Sequence, residues 1–460
     1  MLKQQIHDGK PVQGEFLDFA GERYYAIHNV DQLPPFFISV VSNSDHWLFA
    51  SSSGGLTAGR VAPETALFPY VTSDKIHECP PHTGPVTLIR VDHDGSGLWS
   101  PLEDDRPAAS GVRRNLYKNL LGNKLCFEEV HDGLQLAFRY TWQTSEEFGF
   151  VRDCELENLG DASRRVEFID GLRNLLPAGT PRFAQTNTSN LVDAYKWTEL
   201  HEASGVGLFT LFSGITDRAE PAESLRANTV FALGLEDAQI LLSTEQLGAF
   251  RHGATVRTES NKRGIRGAFL LQATREIAPG QSVKWRVLAE VEQTQAEVIA
   301  LTHKLRDRAA VSEAVDVSIA AGSDELARIM ASADGFQATA EENVSVHHYA
   351  NVLFNVLRGG IFDDHYAIMP WDFLCTLEEF NRDLFERHRD FLNSLPHKVD
   401  AAEFRARLAE RNDAQLDRLA MEYLPIRFGR RHGDPSRPWN EFAIRLQDEN
   451  GYRLLSYQGN

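Results

Sequence analysis

The chain has 460 residues, 42% of them apolar and 24% charged, enough to bury large cores and fill two or more domains, which excludes a disordered chain. Its formal charge of −18 argues against a nucleic-acid partner, because phosphate-backbone binding draws on clustered Lys and Arg and on counterion release. A neutral or small polar ligand suits such a surface better.

The first residues, Met1 to Asp8, carry a single basic side chain, Lys3, and no apolar run behind it, so no secretory signal is readable. No apolar stretch approaches the roughly 18 residues of a membrane span, and the expectation is a cytoplasmic protein without membrane contact. Cys79, Cys126, Cys154 and Cys375 form no close pair, so neither a zinc ribbon nor a disulfide framework is signalled; they read as buried thiols.

From residue 12 to 292 the pattern is strands and turns. Phe36 to Val41, His46 to Ser51, Val86 to Val91, Leu134 to Thr141, Phe150 to Glu157, Gly207 to Phe212, Ala268 to Thr274 and Val283 to Val291 are rich in β-branched and aromatic residues. The turns are explicit at His131-Asp132-Gly133, Asn158-Leu159-Gly160-Asp161 and Ala278-Pro279-Gly280-Gln281. Many short antiparallel-type strands with few helical signals between them predict two stacked sheets, a large β-sandwich. In its last strand Val283, Trp285, Val287, Ala289 and Val291 share one face, while Lys284, Arg286 and Glu290 mostly take the other, as a half-buried strand requires.

The period then changes. Ala296 to Arg308 reads as a helix inside a connecting segment, 293–322, and residues 323–424 read as a helical region. Ser323 is a candidate cap with Leu326, Ile329 and Met330 inward, and Val346, Tyr349, Leu353, Val356 and Leu357 make a second stripe. Leu374, Leu377, Phe380, Leu384, Phe391 and Leu395 make a third, and Phe404, Leu408, Leu416, Leu419 and Tyr423 a fourth. Residues 425–460 hold a basic, turn-rich loop and a strand-like pair, Phe442 to Leu446 and Tyr452 to Tyr457.

Four fragments in order carry a family resemblance: Ser51-Ser52-Ser53-Gly54-Gly55, Leu98-Trp99-Ser100-Pro101, Glu157 to Val166, and Ala278-Pro279-Gly280 with its strand and following helix. Together they resemble the N-terminal β-supersandwich, galactose-mutarotase-like in fold, of cellobiose- and chitobiose-phosphorylase-like glycoside phosphorylases and hydrolases, over roughly residues 15–310. The resemblance implies a multi-domain α+β protein: an antiparallel β-supersandwich over 12–292, a linker, a helical region and a lead-in to an (α/α)6 barrel bearing the catalytic Asp and the phosphate-binding residues. The helical region departs from that pattern, being longer than the usual linker and not recognisable as barrel core. The ending, Tyr457 to Asn460, resembles the lead-in to the barrel's sugar-binding segment, so the catalytic acid is expected downstream and no catalytic residue is assigned within the chain.

Sugar sites combine an aromatic platform with carboxylates, Arg or amides for the hydroxyls, and three stretches have that chemistry. Trp47 and Arg60 flank the Gly-Gly hairpin with Asp45 and Glu64; the bland reading is Trp47 inside the sandwich and Arg60 in a surface pair. Asp364, His365, Trp371 and Asp372 follow Gly359-Gly360, and Asp372 equally suits a helix N-terminus. Arg431, His432, Asp434, Arg437 and Trp439 concentrate in a Gly/Pro loop that suits an anion or sugar, or packing on another domain.

Hydrolysis needs two carboxylates, phosphorolysis one acid and a phosphate site, and among 65 Asp and Glu residues spacing does not choose. The expected function is therefore the substrate-recognition and assembly part of an enzyme acting on glycosidic bonds. Its partners would be an oligosaccharide, a downstream catalytic domain and, compatibly, a second copy; inorganic phosphate is admissible as co-substrate of the parent enzyme, with no other cofactor and no metal. The alternatives are a non-catalytic carbohydrate-binding or interaction protein and, ranked below it, mutarotation by a His and a Glu converging in a sheet concavity.

Overall fold

The computed structural model describes residues 11–80, 82–91, 97–103, 111–213, 225–332, 336, 340–357, 360–361, 367–420, 423 and 443–444. Residues up to Glu325 form one compact unit and those from Leu326 a second.

In the first unit an 11-stranded sheet runs, in spatial order, Gln13–Phe19, Glu22–His28, Val112–Asn119, Leu125–His131, Leu136–Ser145, Gly149–Asn158, Ser282–Thr294, Arg226–Leu233, Val206–Leu211, Lys196–His201 and Asn261–Arg263. A 5-stranded sheet, ordered Gln239–Leu241, Gly267–Ile277, Arg164–Leu175, Gly84–Val91 and Gly97–Trp99, lies across the core from it. Phe37–Val40, His46–Ser51 and Leu56–Arg60 make a third, 3-stranded sheet. Every pairing among the described strands is antiparallel.

Period-two alternation builds the core between the sheets. On Leu136–Ser145 the side chains of Phe138, Tyr140 and Trp142 are buried in it, and Phe168 from the opposing sheet stacks on Trp285 at 4.8 Å. Each such ring contributes on the order of 1.5–3 kcal/mol by leaving water. One ion pair crosses this core: Arg152 and Asp170, both fully buried, meet at 2.7 and 3.0 Å. Thr87 Oγ1 and Trp285 Nε1 donate to the same Asp170 carboxylate, so its lone pairs are spent.

Two of the fragments that carried the resemblance meet at Asn158. Its side chain donates to the carbonyls of Ala162 and Ile277 at 2.8 and 2.9 Å, and its backbone exchanges bonds with Gly280 and Gln281. The Trp99 fragment is fixed in turn by Glu129, which accepts from Trp99 Nε1 at 2.6 Å, Leu102 N at 2.7 Å and Arg114 Nε at 2.8 Å.

Several expectations change. The Ser282–Thr294 strand is half-buried only at its start, since Leu288 and Glu290 on the supposed outer face are buried. Leu305, from the turn after helix Gln295–Lys304, and Val311, Val315 and Ile319, from helix Arg308–Ser332, cluster with Leu288. Ser323 caps nothing: it lies within Arg308–Ser332, where its hydroxyl bonds back to the Ile319 carbonyl, and this helix runs through the expected boundary at residues 322 and 323. Cys126 and Cys154 are buried, but Cys79 is partly exposed and Cys375 exposed.

The second unit is built of short helices: Glu342–Leu357, Pro370–Phe380, Arg382–Asn393, Ala401–Ala409 and residues 414–420. The third and fourth apolar stripes are each two helices, because Asn381 at φ −155° leaves helical space and accepts from Leu384 N, and Asn412 adopts φ 52°. Phe373, Leu377, Leu384, Leu392, Phe404, Leu408, Leu416 and Tyr423 form their common core, and Phe380 is left outside, 59% exposed.

Candidate functional site

Trp47 is 5% exposed; its ring stacks on Phe49 at 6.1 Å and meets Tyr70 edge-on at 5.7 Å. Gly59 lies so close that a Cβ there would fall 2.4 Å from the indole. The residue is packing, not a sugar platform. Arg60 is engaged by Asp45 and Glu290, each at 2.7 Å, so its guanidinium is not free for a ligand. Asp372 lies in the first turn of Pro370–Phe380 and its Oδ2 accepts from the Tyr423 hydroxyl at 2.6 Å, which makes it part of the helical core's frame. Trp371 alone of these has a ring face in solvent, at 52% exposure. Asp364, His365, Arg431, His432, Asp434, Arg437 and Trp439 lie outside the described residues.

A groove of about 690 Å3 lies on the face of the 11-stranded sheet turned away from the core, walled by Phe19, Glu22 and Tyr24 and by Asp316, Ser323 and Asp324. Strand register floors it with two rows of side chains. One row is Arg139, Glu155 and Lys284, continued beyond the groove by Glu128; the next is Thr141, Asp153 and Arg286. Arg139 reaches Glu128 and Glu155 at 3.0 Å and Glu157 at 2.9 Å, and Arg286 reaches Asp153 at 3.0 Å and Asp316 at 2.9 Å. Lys284, 73% exposed, offers its ammonium to the groove beyond a 3.3 Å contact with Glu155.

The two central carboxyls differ. Burial lifts Asp153 above the usual range despite Arg286, whereas at Glu155 burial is outweighed by bonds from the Ser282 hydroxyl and Arg139, which hold it below. Such an arrangement gives hydroxyl groups both donors and acceptors. Its carboxylates Asp153, Glu155 and Asp316 are paired with Arg286 and Arg139. Mutarotation required a histidine in the concavity, and among the described residues none lines it. Sequence reading missed the groove because Arg139, Thr141, Asp153, Glu155, Lys284 and Arg286 are the polar half of alternating strands, which by periodicity alone is a solvent face.

Residues 362–425 match the family model of glycoside hydrolase family 149 insertion domain 1. No curated protein matches the chain. Among solved structures it is similar to a bacterial glucoamylase complexed with acarbose, at 8% identity and TM-score 0.32 over 74% of this chain and 40% of that one. A protein described as a kojibiose phosphorylase from the human microbiome matches at 6% identity and TM-score 0.30, over 72% of this chain and 36% of that one. A galactose mutarotase-like protein from Clostridium acetobutylicum matches at 7% identity and TM-score 0.28, over 62% and 98%. The chain thus spans well under half the length of the glucoamylase.

Proposed function

We propose that this chain is the substrate-recognition and assembly part of an enzyme that acts on the glycosidic bonds of oligosaccharides, by phosphorolysis or hydrolysis. The observation that carries this is the glycoside hydrolase family 149 match over 362–425, a segment that contains the helical core of the second unit. The charged groove supports it, since rows of alternating donors and acceptors suit a ligand made of hydroxyls. In this reading a barrel cleaves and these residues hold, because neither unit's described residues form an (α/α)6 barrel. Trp371, exposed at the start of a helix within the matched segment, is the proposed aromatic contact of the second unit.

The test is titration of residues 1–460 with β- and α-linked gluco-oligosaccharides, alongside Lys284→Ala, Asp316→Asn and Trp371→Ala. Loss of a hydrogen bond at Lys284 or Asp316 should weaken binding about three- to tenfold with an unchanged Tm. No oligosaccharide binding, or turnover of a disaccharide by this chain unaided, would overturn the reading.

A further inference from the structure

The remaining two resemblance fragments meet at a cavity of about 230 Å3, apart from the groove. Ser53 and Gly54 come from the hairpin tip, Pro101 to Glu103 from the segment after Trp99, and Tyr140, Arg173 and Arg251 close it. Gly54, at φ 94°, makes the tip, and a Cβ there would meet the Tyr140 hydroxyl at 3.8 Å.

The charge on this wall is unusual for a chain of −18. Arg173 sits where the pairing of Arg164–Leu175 with Gly267–Ile277 breaks at Asn174, φ 57°. One of its amino groups donates to the Pro80 carbonyl, its Nε is buried with no partner, and among the described residues no carboxylate forms an ion pair with it. Arg251 contributes a second guanidinium, held at 3.0 Å by Glu103, the only carboxylate among the described residues of the wall. Burial, more than its neighbours, makes the charge on Arg173 costly, and Arg251 adds to that cost against the relief from Glu103. Two guanidiniums thus face the cavity beside a single described carboxylate, and a partly buried cation whose charge is incompletely matched is stabilised when something anionic enters.

Two neutral donors also face the space. The Ser53 hydroxyl is linked at 2.7 Å to Ser51, which is linked at 2.7 Å to His77 Nδ1, so its proton can be directed inward while Ser51 satisfies its lone pair. Burial raises the Tyr140 phenol far above its usual range, which leaves it a neutral hydroxyl donor.

We infer that the hairpin cavity binds a tetrahedral oxyanion, held by Arg173 and Arg251 with Ser53 and Tyr140 as further donors. The space exceeds a single oxyanion, at roughly 30 Å3 for each water it could otherwise hold, so the anion enters with waters or with part of the group that bears it. The site lies apart from the groove and does not depend on the groove being the oligosaccharide site.

Calorimetric titration of the chain with inorganic phosphate, with sulfate and with glucose 1-phosphate tests it, against chloride at matched ionic strength. Saturable 1:1 binding is expected. Equal affinity for phosphate and glucose 1-phosphate would identify a free oxyanion as ligand, and tighter binding of the ester a sugar-borne one. Arg251→Gln, at a partly exposed side chain, should weaken binding about tenfold through loss of a charge-assisted bond. Glu103→Gln should tighten it by removing a repelling carboxylate from the wall, a gain that a misfolded variant cannot mimic. Heat changes matched by chloride, or affinity unmoved by both substitutions, would overturn the inference.

Discussion

Glu290 and His46 sit on either side of Arg60 and respond to pH in opposite senses. Burial, against the pull of Arg60, raises Glu290 from 4.5 to about 7, and burial aided by Arg60 lowers His46 from 6.5 to about 3. The stability Glu290 contributes is present below 4.5 and lost as pH rises through 7; that of His46 is present above 6.5 and lost as pH falls toward 3. The two nearly cancel between 4.5 and 6.5, which predicts a stability plateau there. Glu290→Gln should turn the plateau into stability that keeps rising to pH 6.5, a gain that reaches roughly 3 kcal/mol near neutrality, and His46→Gln should leave a decline from 4.5 to 7; chemical denaturation across pH checks both. Arg152 and Asp170 present a different case. Asp170→Asn or Arg152→Met strands a charge between sheets and should cost about 3–5 kcal/mol, while Arg152→Met with Asp170→Leu together should cost less than the sum. Additive losses in the melts would remove the ion pair from the account of sheet-to-sheet packing.

At the scale of elements, helix ends rather than apolar stripes set the architecture of the second unit. The 414–420 helix begins at Asp413, whose Oδ1 accepts from Gln415 N at 3.1 Å and Leu416 N at 3.4 Å, while its Oδ2 takes His388 Nε2 at 2.8 Å. His388 is chief among the groups holding the Asp413 carboxyl down to about 2. Asp413→Ala should therefore destabilise the helical unit by about 1 kcal/mol or somewhat more, with Asp390→Ala, fully exposed, as the neutral control. Thr294 plays the same part in the first unit, where it and Glu297 form a reciprocal capping box at the start of Gln295–Lys304. That Thr-x-x-Glu spacing was readable in the sequence. The breaks at Asn381 and Asn412 were less so, because apolar residues continue at helical spacing on both sides of them.

Across the whole molecule, the Ser282–Thr294 strand closes the sandwich. It pairs with Gly149–Asn158 on one side and Arg226–Leu233 on the other, so the 11-stranded sheet is two disconnected groups until the chain has returned to it. Such long-range pairing makes folding slow and dependent on a late segment. A chain ended before Ser282 is predicted to lose cooperative unfolding and near-UV dichroism, whereas one ended after helix Arg308–Ser332 should retain both. No helix among the described residues is long and apolar enough to cross a membrane.

The strands from residue 12 to 292, their turns and their antiparallel character were legible in the sequence, because alternation and Gly, Asn and Pro punctuation are local signals read within a few residues. So was the helical turn of the chain afterwards, and the carbohydrate-active resemblance in four short fragments. What each polar residue does was decided only by tertiary structure. Trp47 and Arg60 admit both a sugar-site and a structural reading until Phe49, Tyr70 and Gly59 close around the indole and Glu290, 230 residues on, takes the guanidinium. Conversely, Arg139, Asp153, Glu155 and Lys284 read as four solvent-facing side chains until strand register sets them in rows beneath a groove. The physical reason is one of range: periodicity reports which face of an element is apolar, but whether a polar face meets water, a helix or a ligand is set by segments hundreds of residues apart in the chain.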